Sequence, residues 1–245
     1  MFYSEIGAKT ESNEWETAGM NSMAAHVSGF HLLDQYMDQK PNVLACEVKS
    51  SLDAGGVVWR KPPSSEGAGA AKARWSNLDF LGKGKARRAW EEHWPQDGHR
   101  FAWDAIGRVQ IGTVGWEWLL VTAFAHPEEL EQSPEGPIDE ADERIVSAIE
   151  EAKRGYNVEP RIDWIHSHVY LTTRLAALSF LRKHGVCVRM LLIHFYGDER
   201  KRDSLCPGLR EWHRAIMTAE WRLGLAGKSV LERRVFRAFL PAMCD

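Results

Sequence analysis

Residues 101–125, FAWDAIGRVQIGTVGWEWLLVTAFA, hold the pattern that decides the fold. In the first half, apolar side chains recur at every second position, as in a half-buried β-strand: Phe101, Trp103, Ala105, Val109 and Ile111. Residues 112–115 form a Gly-bounded turn, and residues 116–125 are apolar on both faces, which predicts a central, buried strand. The connection is too short for a crossover, so the stretch predicts an antiparallel hairpin.

The flanking sequence adds helices and one more strand. Residues 186–196 (VCVRMLLIHFY) predict a second buried strand. Helical periodicity and helix-stop residues predict helices at residues 83–94, 139–154, 161–184, 207–221 and 228–239. This order of elements predicts an α/β sandwich, with a small mixed sheet flanked by helices.

The first 74 residues predict an N-terminal arm followed by a linker, with the main domain at residues 75–245. Residues 50–73 (SSLDAGGVVWRKPPSSEGAGAAKA) are rich in Gly, Ser and Pro and lack periodicity, which is typical of a linker. Before it, residues 20–37 predict a helix and residues 42–49 (NVLACEVK) a strand. These are too few for an independent core, so we expect the arm to dock on the main domain or to stay mobile.

Composition indicates one ordinary globular core and excludes several classes of protein. The 245 residues are 44% hydrophobic and 27% charged, with a formal net charge of −3, so any nucleic-acid surface must be a local patch. The longest apolar stretches are about half of the roughly 20 residues that a membrane helix needs, and the N-terminus lacks a secretory h-region. The four cysteines have no metal-knuckle spacing. We therefore expect free thiols, no membrane association and a cytoplasmic location.

Four segments together carry a resemblance: residues 77–95 (NLDFLGKGKARRAWEEHWP), 102–109 (AWDAIGRV), 116–130 (WEWLLVTAFAHPEEL) and 163–198. In order and spacing they resemble a bacterial group within the PD-(D/E)XK nuclease superfamily. The resemblance implies a restriction-endonuclease-like sandwich in which a helix Glu, a strand Asp and a Glu-x-Lys on the next strand hold a divalent metal and activate water. Asp104 matches the strand Asp. Glu91 or Glu92 matches the helix acid, and we favour Glu91 because it borders the apolar stripe of Trp90.

The sequence departs from this pattern at the catalytic strand. The resemblance leads us to expect Glu-Ala-Lys-Ala-His, but residues 122–126 read Thr-Ala-Phe-Ala-His. Thr122 is at best a weak neutral ligand, and Phe124 can neither bind an anion nor move a proton. Asp104 and Glu91 remain as the candidate metal ligands, so we expect Mg²⁺ or Mn²⁺ to bind weakly or not at all in the free protein.

Nucleic acid, and DNA in particular, is the partner that the resemblance implies. Its candidate contacts are a basic cluster before and within the first helix of the main domain, together with two positions on the long helix: Lys83, Lys85, Arg87, Arg88, Tyr170 and Arg174. The residues His126 and Glu129 also match a His-x-x-Glu of that group.

Three hypotheses therefore remain open. The chain is a nuclease-like protein with a degenerate site that binds nucleic acid, or a module for protein interaction without nucleic acid. Alternatively, it is an active metal-dependent endonuclease whose further ligands reach Asp104 from elsewhere. The candidates for that role are Glu129, Glu47 and Lys49, the last two forming a local Glu-x-Lys in the predicted strand at residues 42–49.

Overall fold

A computed structural model describes residues 27–61, 74–95, 102–113, 115–131, 138, 143–197, 206–227 and 234–243. The strands are β1 (Ala54–Arg60), β2 (Trp75–Ser76), β3 (Ala102–Trp103), β4 (Ala105–Ile111), β5 (Gly115–Phe124), β6 (Val188–Tyr196) and β7 (Val235–Pro241). The main sheet has the order β1-β4-β5-β6-β7, and β2 pairs with β3 separately. In the main sheet, β4 is antiparallel to both of its neighbours, whereas β5, β6 and β7 are parallel to one another.

The hairpin predicted from residues 101–125 is confirmed over its described residues, which leave out 101 and 114. β4 and β5 pair antiparallel from Ala105 opposite Val121 to Ile111 opposite Gly115. The first strand is not continuous, because a bend at Asp104 separates β3 from β4. The predicted strand at residues 186–196 is also confirmed as β6, which lies beside β5 in the same sheet.

Helices cover both faces of the sheet. The helices α1 (Gly29–Gln39) and α2 (Pro41–Leu52) pack on one face, and α3 (Lys85–His93), α4 (Glu143–Gly155), α5 (Val169–Lys183) and α6 (Leu209–Arg222) belong to the core on the other. Strand alternation separates the two cores. In β5, Val121 and Ala123 face α1 and α2, whereas Leu120 and Phe124 face the α5 side.

The long helix α5 lies at the centre of the core on the α3–α6 side of the sheet. α5 is buried along most of its length, including the polar residues Thr172, Thr173 and Arg174. It begins eight residues later than predicted, because residues 161–168 form turns and His168 adopts a left-handed conformation with φ 57°. The helices predicted at 83–94 and 207–221 are confirmed as α3 and α6, and the one predicted at 139–154 is confirmed as α4 over its described part, since residues 139–142 lie outside the described residues.

Two predictions in the N-terminal region are wrong. Residues 42–49 are helical within α2, because Pro41 starts the helix and Leu44, Val48 and Leu52 form one buried stripe at a spacing of four. The predicted linker contains β1, which pairs with β4 from Ala54 to Arg60. The described part of the predicted arm thus docks on the sheet. Residues 20–26 and 62–73 of these predictions lie outside the described residues.

The last predicted helix is also wrong over its described part. Residues 235–239 belong to β7, which pairs parallel with β6 from Met190 opposite Val235 to Tyr196 opposite Pro241. Residues 228–233 lie outside the described residues. The pairing with β6 satisfies the backbone hydrogen bonds of this segment at the edge of the sheet, which a local pattern does not reveal.

Within the described ranges, no helix has both the length and the apolar character needed to cross a bilayer. The described cysteines are free: Cys46 and Cys187 are exposed, and Cys206 is buried.

Candidate functional site

Asp104 lies at the bend that leads into β4, with its side chain turned onto β5. Its backbone N–H donates to the Val121 carbonyl at 3.0 Å. Its Oδ2 accepts from the Ala123 N–H at 2.9 Å and from the Tyr170 hydroxyl at 3.2 Å. The side chain is only 1% exposed. These bonds fasten the carboxylate across two strands and one helix.

The two positions at which the sequence departs from the resemblance lie beside this carboxylate. Thr122 and Phe124 are on the α5 side of β5, and both are completely buried. The Phe124 ring meets the Tyr170 ring edge to face, with centroids 5.5 Å apart, and stacks on the His194 ring at 5.4 Å. The structure therefore brings Asp104 and the two motif positions together, with aromatic rings filling the space around position 124.

Arg174 lies within the same cluster. It is completely buried, and its guanidinium donates to the carbonyls of Tyr170 and Ala102, both at 2.7 Å. The guanidinium also lies 3.5 Å from the centroid of the Tyr170 ring. Tyr170 is itself buried. The two residues predicted to contact nucleic acid from the long helix thus face the protein interior.

A second guanidinium approaches from a residue that the sequence did not indicate. Arg74 Nη1 lies 3.6 Å from Asp104 Oδ1, and the Arg74 guanidinium lies 3.7 Å from the centroid of the Phe30 ring. Arg74 follows the predicted linker and Phe30 belongs to the predicted arm. No motif marked either residue, because their meeting depends on α1 docking against the sheet.

The electrostatic environment of Asp104 combines deep burial with nearby cations. Burial raises the pKa of Asp104 above its ordinary value, and it outweighs the opposing effects of Arg74, the Ala123 N–H, Arg174 and Tyr170. This carboxyl therefore holds a proton more readily than an exposed aspartate does.

Glu129 is the second acid of the site. Its Oε1 accepts from the N–H groups of Ala125 and His126 at 3.0 and 3.1 Å, and its Oε2 accepts from the Gly29 N–H at 3.3 Å. Burial raises the pKa of Glu129 to about 6, despite these bonds, and the charge of Asp104 raises it further. The sequence pair His126 and Glu129 thus caps a short 3₁₀ turn and fastens the start of α1 to the end of β5.

The predicted helix acid is not brought to this cluster. Glu91 is 43% exposed and pairs with Arg87 at 2.8 Å. The neighbouring Trp90 packs against Phe180 of α5. Phe180 follows Tyr170 by ten residues, which corresponds to about 15 Å along the helix axis.

The predicted basic cluster lies on the surface. Lys83, Lys85 and Arg88 are exposed, whereas Arg87 pairs with Asp79 and Glu91. The other candidate ligands, Glu47 and Lys49, belong to α2, whose Val48 packs on the opposite face of the sheet.

These residues do not fit a divalent metal. Asp104 is next to the cations Arg74 and Arg174, and both oxygens of Glu129 already accept backbone N–H groups. In the ranges that the structure describes, no group of three His, Cys, Asp or Glu side chains could hold a metal ion. Mg²⁺ requires several oxygen ligands in near-octahedral geometry, which this donor set does not offer.

Comparisons with protein families, with curated proteins and with solved structures found no significant match to this chain. The fold and site define a mixed α/β protein with a five-stranded sheet, in which a buried Asp, Arg and Tyr cluster lies where the parallel strands β5 and β6 end.

Proposed function

We propose that this protein is a restriction-endonuclease-like protein that binds nucleic acid without hydrolysing it. One observation carries the proposal: Phe124, at the position of the motif Lys, is buried between the rings of Tyr170 and His194, beside Asp104. An aromatic ring here can neither orient a water molecule nor neutralise a developing charge.

The sheet supports the resemblance on which the proposal rests. A site with an Asp on one strand and Glu-x-Lys on the next requires two adjacent strands, which β4 and β5 provide. The next strand after the long helix, β6, pairs parallel with β5. The closeness of Asp104, Thr122 and Phe124 at the end of these strands is a second support for the resemblance.

The chemistry of the Asp104 cluster favours a structural role over hydrolysis. Metal-assisted hydrolysis of a phosphodiester needs a hard cation that polarises the phosphate and supplies hydroxide. Asp104 instead accepts from Ala123 and Tyr170 and interacts with the charges of Arg74 and Arg174. Its role in the proposal is to interact with Arg74 and the buried Arg174 and to hold β5 against α5.

In this proposal, the exposed cations before and within α3 bind the nucleic acid. Lys83, Lys85 and Arg88 face solvent, as groups that contact phosphates must. Such contacts are local, so they are compatible with the net charge of −3.

Cleavage is tested with labelled duplex and single-stranded DNA in Mg²⁺ or Mn²⁺. We expect the wild-type protein to cleave no faster than Asp104→Ala. We also expect the double variant Thr122→Glu/Phe124→Lys to bind Mn²⁺ more tightly than wild type by calorimetry, because a carboxylate at position 122 would face Asp104. Robust cleavage by wild type that Asp104→Ala abolishes would contradict the proposal and favour relocated ligands.

Binding is tested by fluorescence anisotropy of a labelled duplex over a series of salt concentrations. Each phosphate contact contributes about 0.9 to the slope of log K against log salt. The double variant Lys83→Gln/Lys85→Gln should weaken the salt dependence, which reduces the magnitude of this slope by up to about 1.8. The matched control, Lys49→Gln/Arg161→Gln, removes two exposed cations elsewhere and should leave the slope unchanged. Equal effects of the two double variants would refute a specific basic patch.

One observation favours a protein-interaction role as a second candidate. Met217 and Trp221 are 70% and 74% exposed and lie one turn apart on α6. An exposed tryptophan beside an exposed methionine is a common feature of protein contact surfaces. This candidate predicts a concentration-dependent dimer by light scattering that Trp221→Arg disrupts. A monomer at all concentrations would exclude this self-association.

A further inference from the structure

A pocket lies at the end of α5 that is distant from Asp104. Its volume is about 490 Å³, within the range of small-molecule sites. Arg182, at this end, follows Tyr170 by twelve residues, or about 18 Å along the helix axis. The walls come from the ends of α4 and α5 and from residues just before β6 and β7, and they include Gly155, Tyr156, Ser179, Arg182, Cys187 and Arg234.

Arg234, on the strand side of this pocket, belongs to a cluster of two cations and one acid. Arg234 pairs with Glu117 at 3.0 Å, and Arg189 pairs with the same carboxylate oxygen at 2.8 Å. Two guanidinium groups therefore share one carboxylate. Arg189 contacts the Leu52 carbonyl and the Phe236 ring, so it lies toward α2, and Arg234 is the cation of this group that lines the pocket.

The helix side adds a second positive charge. Lys183 pairs with Glu151 at 2.5 Å, which balances that lysine. Arg182, the preceding residue, is exposed and lines the pocket. Of the cations that line the pocket, Lys183 and Arg234 are paired with acids, and Arg182 supplies a positive charge that no described acid balances.

A buried hydroxyl also lines the pocket. Tyr156 is only 2% exposed, and no described residue forms a hydrogen bond of normal geometry with its Oη. The Arg182 guanidinium approaches this hydroxyl as a donor, so it is the hydroxyl proton that lacks an acceptor. A buried hydroxyl without an acceptor is costly, so native proteins rarely retain one without a partner such as water or a ligand.

The neighbouring glycine keeps a second hydroxyl accessible. A Cβ on Gly155 would lie 3.1 Å from Ser179 Oγ, which is closer than ordinary contact. Gly155 and Ser179 both line the pocket. The absence of a side chain at position 155 thus leaves space beside the Ser179 hydroxyl.

We propose that this pocket binds a phosphate monoester, with the Tyr156 hydroxyl and the Arg182 guanidinium as donors and Arg234 as a further cation. The unpaired Arg182 guanidinium suits this ligand, because a guanidinium forms paired, charge-assisted hydrogen bonds to phosphate. The volume accommodates more than a phosphate ion, which is consistent with a mononucleotide-sized ligand. None of these residues belongs to the Asp104 cluster, so this inference is independent of the proposed function.

The test compares adenosine monophosphate, inorganic phosphate and adenosine by calorimetry on the full chain. We expect the two phosphates to bind and adenosine not to bind. Arg182→Gln should weaken binding of the monophosphate about tenfold, as expected for loss of a charge-assisted hydrogen bond. Arg161→Gln, which removes an 83% exposed arginine elsewhere, is the matched control and should have no effect.

Tyr156→Phe separates ligand binding from stability. This variant removes only the hydroxyl, so it should weaken binding about fivefold while the melting temperature stays the same or rises. Arg182 is exposed, so Arg182→Gln keeps the test decisive even where Tyr156→Phe impairs folding.

Cys187 reports where the ligand binds. This exposed thiol lines the pocket, whereas the exposed Cys46 lies on α2, which packs on the other face of the sheet. Adenosine monophosphate should slow alkylation of Cys187 and leave that of Cys46 unchanged, as followed by peptide mass spectrometry. Three results would each overturn the proposal: adenosine binding as tightly as the monophosphate, unchanged binding in Arg182→Gln, or binding without protection of Cys187.

Discussion

Glu129→Gln tests whether the buried acid that fastens α1 to β5 destabilises the folded protein when it ionises. The glutamine keeps one oxygen for the N–H groups of Ala125 and His126 but loses the acceptor for the Gly29 N–H. This loss should destabilise the protein by about 1–3 kcal/mol at every pH. The pH dependence of stability then isolates the contribution of the charge.

The size of the charge contribution follows from the pKa of Glu129, which is about 6 in the folded protein, whereas the ordinary value is 4.5. Each pH unit of this difference is worth about 1.36 kcal/mol, so ionisation costs the folded state about 2 kcal/mol. The folded carboxyl holds its proton to a higher pH than the unfolded one. Its contribution to stability is therefore greatest below pH 4.5 and is lost as the pH rises to above 6, with about 1.2 kcal/mol of the loss falling between pH 5 and pH 7.5.

The assay is urea unfolding of wild type, Glu129→Gln and Glu128→Gln at both pH values. Wild type should lose about 1.2 kcal/mol more of its free energy of unfolding than Glu129→Gln does between pH 5 and pH 7.5. Glu128 is exposed and adjacent in sequence, so Glu128→Gln should follow wild type. An equal pH dependence in wild type and Glu129→Gln would refute the reasoning that burial penalises this charge.

Three further variants probe the packing around the site by thermal and urea unfolding. A Cβ on Gly29 would lie 2.2 Å from the Ala123 carbonyl oxygen, so Gly29→Ala should lower the melting temperature by several degrees. Gly56→Ala is the control and should not lower it, because a Cβ there has no neighbour closer than 3.7 Å. Equal effects of the two variants would contradict a close approach of α1 to β5. Burial lowers the pKa of His194 to about 3, so this residue makes the wild type less stable as the pH falls below 6.5. His194→Phe should abolish that loss of stability. If the loss of stability at acid pH were the same in this variant, the ring would not be buried in its neutral form. Phe124→Lys should lower the free energy of unfolding by about 3 kcal/mol or more, because it buries an ammonium group among aromatic rings. A decrease below about 1 kcal/mol would indicate that the side chain at position 124 reaches water.

The sequence determined those elements whose own side chains carry a clear period. β5 and β6 are apolar runs between turn residues, and α3 and α6 have amphipathic spacing, so each formed close to where it was predicted. The short Gly-bounded connection also fixed the antiparallel pairing of β4 and β5, because no crossover fits within it. The motif positions Asp104, Thr122 and Phe124 consequently meet, as the hairpin register requires.

The tertiary structure alone decided the elements whose stability comes from distant partners. Residues 54–60 look like a linker because Gly55 and Gly56 weaken any local preference, but their backbone groups pair with β4. The apolar side chains of residues 42–49 fit the alternation of a strand and also the spacing of a helix. The helix forms because it buries its apolar stripe. Residues 235–241 form a strand through pairing with β6, which is more than 40 positions away in the chain.

The surroundings of Asp104 show the same division. The sequence identified the carboxylate, Tyr170 and Arg174, but it assigned the latter two to a surface that contacts nucleic acid, whereas both are buried. It gave no sign of Arg74 or Phe30, and it did not place Glu91 on the exposed side of α3. Periodicity reports which face of an element is apolar, but which distant face it meets depends on the packing of all elements together, because burial and backbone pairing are properties of the whole chain.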